Sequence, residues 1–240
     1  MEKNTIFKIA NQQHQDSFCE INLMGGGIMN LYLAGRHVLF AGTRPDGGQG
    51  FTHPCIPNFN IAKDLPNHGP ARKEMWDKVN EKTMSWEMTA IEGIYPAGIK
   101  AIRQFEIGEK SFTTTTTIKN VGDVSLPTNI AEHNYFACPK DEVKNVKINS
   151  QPIHQEALNA NAQFNPWQDK NILEIPGLGE LQFNTSGYQA FAQWTQPDAP
   201  FVCIEPIEIL PPAPTDFMKL SPKINPGETK VLSYTIILNF

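Results

Sequence analysis

Apolar and polar side chains alternate through much of this chain. Residues 99–107 (IKAIRQFEI) repeat with period two, the pattern of a strand with one face in a core. Gly108-Glu109-Lys110 supplies a turn, and residues 111–118 (SFTTTTTI) return from it. β-Branched threonine suits a pleated surface, so the pair predicts a β-hairpin with its threonines on a solvated face. Further strands are predicted at 84–91, 143–148, 189–195, 201–204 and 231–238, the last just after the turn Asn225-Pro226-Gly227-Glu228. Only residues 73–80 (KEMWDKVN) read as a helix, of about two turns. Short, fairly even spacing between turn signals predicts an all-β chain, an antiparallel β-sandwich.

Two segments break the rhythm. Residues 43–72 are rich in Gly, Pro and Asn, and residues 206–222 are rich in Pro. Long irregular stretches on a rigid scaffold often carry function. No linker composition separates two cores, so residues 1–240 read as one domain.

Composition narrows the function classes. With 40% hydrophobic and 19% charged residues the chain can build a sizeable core. A net charge of -5 offers no counterion-release footprint for nucleic acid and no attraction to an anionic membrane. Residues 1–15 contain no apolar signal core, and no apolar run approaches the roughly 20 residues of a spanning helix; a cytoplasmic protein is expected. Cys19, Cys55, Cys138 and Cys203 are scattered without a CxxC, as for free buried thiols. His53-x-Cys55 looks like half of a metal site, but no second pair follows at ligand spacing, so no metal is expected. Gly25-Gly26-Gly27 lacks GxGxxG spacing, and neither a Walker lysine nor GxSxG occurs; no cofactor is expected.

Several polar residues sit in unusual company. Glu205 follows the apolar run Phe201-Val202-Cys203-Ile204. A carboxylate there is either a desolvated base with a raised pKa or a solvated or arginine-paired strand end. His133, in Ala131-Glu132-His133-Asn134-Tyr135-Phe136, is either an acid/base group or a hydrogen-bonded core histidine. His68 and Arg72 flank Gly69-Pro70-Ala71, which can aim both at one pocket; the bland reading is a surface arginine in a turn. Phe59, Trp76, Tyr135, Phe136 and Trp167 are available to pack against a ligand or to fill a core.

These segments have a familiar look. Asn67-His68-Gly69-Pro70-Ala71-Arg72 followed by Trp76 resembles the His-Gly-x-x-Arg segment of aldose 1-epimerases and hexose-6-phosphate epimerases. Thr128-Asn129 through Glu132-His133-Asn134-Tyr135-Phe136 resembles their second histidine segment, and Cys203-Ile204-Glu205-Pro206 their glutamate segment. Residues 220–229 (LSPKINPGET) resemble the closing turn, and residues 52–59 (THPCIPNF) the early Pro-rich loop of shorter members. The five occur in family order over roughly residues 50–240.

The resemblance implies a large galactose-mutarotase-like β-sandwich that interconverts the α and β anomers of a hexose without metal or cofactor. It implies Glu205 as the general base on the anomeric hydroxyl and His133 as the general acid on the ring oxygen. His68, Arg72, Asp169 and Asn58 would hold the sugar. Asp169, in Trp167-Gln168-Asp169-Lys170, stands for the family's sugar-gripping aspartate, although the local match is poor. Sugar-phosphate members carry an arginine beside the glycines of the early loop; here Asp46 precedes Gly47-Gly48 and Arg44 lies two residues earlier. An unphosphorylated aldose is therefore the expected substrate, for a monomer or homodimer. The rival readings are a hexose-6-phosphate 1-epimerase and a non-catalytic sugar-binding module on the same scaffold. A glycoside hydrolase ranks lower, because it needs two suitably spaced carboxylates.

Overall fold

A computed structural model describes residues 5–62, 64–96, 98–168 and 170–240. Two large antiparallel sheets pack face to face, and Phe136 of one meets Phe183 of the other with ring centroids 5.6 Å apart. One sheet runs in spatial order Gln151–Pro152, Lys147–Ile148, Asn171–Ile175, Gly179–Ser186, Thr229–Asn239, Ser111–Asn120, Ile99–Ile107, Thr83–Met88 and Asp77–Asn80. The other opens with the meander Ile6–Ala10, Phe18–Asn22, Gly27–Leu33 and Arg36–Leu39. It continues through Tyr135–Ala137, Phe201–Ile207, Ala131–His133 and His53–Cys55. Ala190–Trp194 also pairs with Phe201–Ile207, and Gln163–Pro166 pairs with Ala190–Trp194.

Period-two patterning explains the interior. In Thr229–Asn239 the residues Leu232, Tyr234, Ile236 and Leu238 point inward, and the polar residues between them do not. The predicted hairpin forms with Ile107 opposite Phe112. Its inward row includes Thr114 and Thr116, both buried, so the threonine run is split between core and solvent rather than lying wholly on a solvated face. Strict alternation sends every second residue of an uninterrupted run to the same side.

Arg103 lies on that inward row and is fully buried. Its guanidinium forks onto Glu132 of the opposite sheet, with Nη2 donating to Oε2 at 3.1 Å, and Thr116 donates to Oε1 at 3.3 Å. Beside them the Tyr234 hydroxyl donates to Asn134 Oδ1 at 3.1 Å. A polar seam thus crosses the sandwich directly behind the strand that carries His133.

Two expected elements differ. Residues 73–80 are not a helix: Ala71–Lys73 form a 3₁₀ turn and Asp77–Asn80 an edge strand paired with Thr83–Met88. Two turns of helix cannot offset the cost of nucleation without tertiary help. Here the tertiary contacts act on Trp76, which is buried, stacks on Trp86 at 6.0 Å and donates from its indole to Ala71 C=O at 3.0 Å. Residues 143–148 contribute only the short strand Lys147–Ile148, after a 3₁₀ helix over Lys140–Asn145. The N-terminal meander falls in a stretch for which the pattern predicted no element.

Phe201–Ile207 organises the molecule. It is buried on both faces, as a near-continuous apolar run should be. Val202 and Ile204 enter the core between the sheets, while Phe201 and Cys203 join a separate cluster with Tyr135 and Ala199 on the other face. Glu205 follows on that second face. All four cysteines are buried and unpaired. No helix among the described residues is long and apolar enough to cross a membrane.

Candidate active site

A cavity of about 330 Å³ opens on that outer face, at the small end of the range for small-molecule sites. Glu205, His133, His68 and Arg72 all line it. Strand register brings the first two together. Ala131 pairs with Ile207 on antiparallel neighbours, so two residues along each strand His133 stands across from Glu205. His133 Nδ1 lies 3.6 Å from Glu205 Oε2. Both side chains are almost wholly buried, and neither of these two atoms has a hydrogen-bond partner among the described residues. Unsatisfied buried polar atoms are costly, and in a native site they mark functional demand.

Burial pushes the Glu205 carboxyl well above the usual carboxylate range. Burial, reinforced by His53, His68 and the guanidiniums of Arg72 and Arg44, pushes His133 well below the usual imidazole range. Both shifts favour the uncharged forms, a protonated Glu205 carboxyl and a neutral His133 imidazole.

The loop before the 3₁₀ turn sets His68 and Arg72. His68 has φ +61° and accepts from the Asn60 N–H through Nδ1 at 3.1 Å. Gly69, at φ +74°, is required: a Cβ there would lie 1.9 Å from Ile56 O. Gly25 and Gly26 seat the same region, because side chains on them would strike the Arg72 backbone and the Trp76 ring. The glycine triplet is thus a packing seat.

Asn58 belongs to this loop but not to the cavity wall. It is fully buried, and its amide donates to Asn60 O at 2.7 Å and Pro66 O at 3.0 Å. These bonds brace the loop that carries His68. Asp169 lies outside the described residues.

His53, read from sequence only as half of a metal site, lies behind the cavity. It is paired with His133 in register and stacks on it at 4.9 Å. Its Nδ1 is 2.8 Å from Phe51 O, which makes that nitrogen the donor and leaves Nε2 to accept from Arg72 Nη1 at 3.4 Å. Burial and the Arg72 charge hold His53 down to about 3, and burial and His53 hold His68 down to about 2. Tyr135 backs the cluster, stacked on His133 at 4.7 Å.

Phe59, Phe164 and Trp194 supply aromatic wall, with Asn60 and Asn67 between. Trp194 stands edge-on to His133 at 6.0 Å, held by its indole N–H to Ala160 O at 3.1 Å. Of the aromatics singled out in the sequence, Phe59 lines the cavity, whereas Trp76, Phe136 and Trp167 pack in the interior. Trp194 and Phe164 escape sequence reading, since a lone aromatic at a strand end has no sequence signature. Arg44 and Asp46 complete the rim.

His133, Cys203 and Glu205 bring one ligand atom each within 4.8 Å of one another. Burial and the Glu205 carboxyl push the Cys203 thiol well up, away from the thiolate a metal requires, and Arg72 and Arg44 bring positive charge to the same wall. The trio suits proton exchange better than cation binding.

Fold and site together define the class: a galactose-mutarotase-like β-sandwich with a polar, aromatic-walled cleft on the outer face of one sheet. The family model described as Aldose 1-epimerase matches residues 47–197, and the chain belongs to that family. A galactose mutarotase-like protein from Lactobacillus casei ATCC 334 superposes with a TM-score of 0.80 at 15% identity, over 98% of this chain and 100% of that one. A galactose mutarotase related enzyme from Lactobacillus acidophilus gives 0.79 at 13% identity, over 98% and 97%. The Slr1438 protein of Synechocystis sp. PCC 6803 gives 0.79 at 13% identity, over 98% and 95%. No curated protein matches the chain. At these identities the likenesses speak for the fold.

Proposed function

We propose that the protein is an aldose 1-epimerase acting on an uncharged aldohexose. The observation that carries this is the buried His133–Glu205 pair, 3.6 Å apart, with both facing atoms unpartnered among the described residues at the wall of a sugar-sized cleft. Anomer exchange needs one proton removed from the anomeric hydroxyl and one delivered to the ring oxygen. In the reactive form the proton held by the pair sits on His133, so that Glu205 takes the first and His133 gives the second. The C1–O5 bond breaks, the C1 hydroxyl becomes an aldehyde, the C1–C2 bond rotates, and closure in reverse returns both protons. Nothing is consumed, so two groups that exchange one proton suffice. Each proton transfer contributes on the order of 10²–10⁴-fold.

Arg72 and His68 hold ring hydroxyls, with Arg72 itself positioned by His53. Phe59, Phe164 and Trp194 offer flat apolar surfaces to the sugar's C–H faces.

The test is anomer exchange followed by NMR, with glucose, galactose and their 6-phosphates, in wild type and Glu205→Gln. Wild type accelerates exchange of an uncharged hexose. The variant loses about 10²-fold or more while still binding sugar. Saturable binding without acceleration in wild type identifies a sugar-binding module instead.

A further inference from the structure

The cleft carries one charged pair that ring opening does not use. Arg44 and Asp46 sit at its rim on a tight turn, where Gly42–Thr43 pairs with Gln49–Gly50. Arg44 N donates to Gly48 O at 2.8 Å and Gly47 N to Arg44 O at 2.9 Å, which fixes the turn. Within it the guanidinium grips the carboxylate twice, Nε to Oδ1 at 3.2 Å and Nη2 to Oδ2 at 2.9 Å. Asp46 is also held from two other sides: the Gly48 N–H donates to Oδ1 at 3.0 Å, and Gln196 donates to Oδ2 at 2.7 Å across from a separate loop. These donors keep its carboxyl below the usual range, Gln196 contributing most. Arg44 Nη1 donates to the Tyr135 hydroxyl at 3.3 Å. The guanidinium lies close against the turn, since a Cβ on Gly48 would lie 2.4 Å from Nη2.

An arginine at the mouth of a sugar site is a natural receptor for phosphate or carboxylate, whose oxygens match its planar fork. Here the fork is already closed on an anion. A sugar bearing a phosphate must displace Asp46 or stand against its charge, whereas an uncharged sugar meets a neutral pair. We propose that Asp46 is a charge filter: by occupying Arg44 it restricts the cleft to uncharged aldoses, and its removal opens a phosphate subsite at Arg44. Asp46 is thereby a specificity-determining residue. The proposal rests on the aldose reading of the cleft and names the residue that sets the charge of the substrate.

The experiment compares kcat/KM for glucose and glucose 6-phosphate in wild type, Asp46→Asn and the double variant Asp46→Asn/Arg44→Gln. The phosphorylated-to-neutral ratio rises about 10- to 100-fold in Asp46→Asn, the worth of a charge-assisted hydrogen bond. It falls back in the double variant, and the gain shrinks as salt is added, because the pair is partly exposed. An unmoved ratio in Asp46→Asn, an equal rise in the double variant, or a wild type that already prefers the phosphate overturns the proposal. Titration with inorganic phosphate decides it without catalysis. Asp46→Asn binds phosphate at least about tenfold more tightly than wild type or the double variant, and equal affinity in all three refutes it. If wild type turns over neither sugar, the epimerase reading fails while the phosphate titration still judges the filter.

Discussion

At the scale of single residues, the site is a set of groups whose proton affinities burial has moved away from their values in water. Arg72 is the clearest test of how the sugar is held. It reaches the cleft from a 3₁₀ turn, its Nε is buried without a partner among the described residues, and His53 restrains its other end. A guanidinium that binds substrate and transition state alike affects KM more than kcat. Arg72→Ala is therefore expected to raise KM about tenfold or more with a smaller change in kcat, measured by saturation kinetics. A kcat loss at constant KM would place Arg72 on the reacting atoms instead. Glu205 and His133 are legible as candidate chemistry in the sequence itself, because an ionisable residue inside an apolar strand run is conspicuous. His53 is not: its pattern suggests a ligand, and only its register beside His133 shows it as the support of both His133 and Arg72.

At the scale of elements, the Ala131–His133 strand faces two ways. His133 looks out to the cleft, and Glu132 looks in to Arg103. Removing one partner of a buried ion pair leaves an uncompensated charge, whereas replacing both with apolar groups removes the demand. Glu132→Leu alone is expected to destabilise the protein by about 3–5 kcal/mol, and Glu132→Leu with Arg103→Met to recover most of that loss, by chemical denaturation. Equal destabilisation in both would mean that packing at this seam, rather than the ion pair, holds the strand. The alternation of residues 99–107 predicted the strand but treated Arg103 no differently from its neighbours; its partner lies 29 residues away on another sheet, beyond the reach of any local pattern. The expected helix at 73–80 failed for the related reason that the burial of Trp76 outweighed a weak local preference.

At the scale of the whole molecule, folding removes several imidazoles from water at once, and stability inherits a pH dependence. In the unfolded chain a histidine takes up a proton near its ordinary value of 6.5, whereas folded His53 does so only at about 3. Between these values the unfolded state binds more protons, so the His53 contribution to stability is present above 6.5 and lost as pH falls toward 3. Glu205 acts in the opposite sense: its raised carboxyl favours the folded state at low pH, and that contribution is lost as pH rises above 4.5. The difference between wild type and His53→Gln isolates the His53 contribution. Relative to the variant, wild type is expected to lose up to about 1.4 kcal/mol per pH unit below 6.5, by urea denaturation at pH 7 and pH 5. A constant difference across that range would mean that the His53 ring is protonated equally in both states.

By itself the sequence determined the all-β class, the central hairpin, the closing strand and the segments bearing His68, Arg72, His133 and Glu205. Each is written in short-range terms: period-two alternation, turn residues, and polar residues embedded in apolar or Gly-Pro context. Tertiary structure alone decided the rest. It set His133 across from Glu205 through the register of strands about 70 residues apart in the chain, placed His53 behind them, turned Asn58 into a loop brace, and closed Arg44 on Asp46 with Gln196 brought in from another loop. Those relations depend on which strands become neighbours, and that is settled by burial over the whole sandwich, which no local window of sequence records.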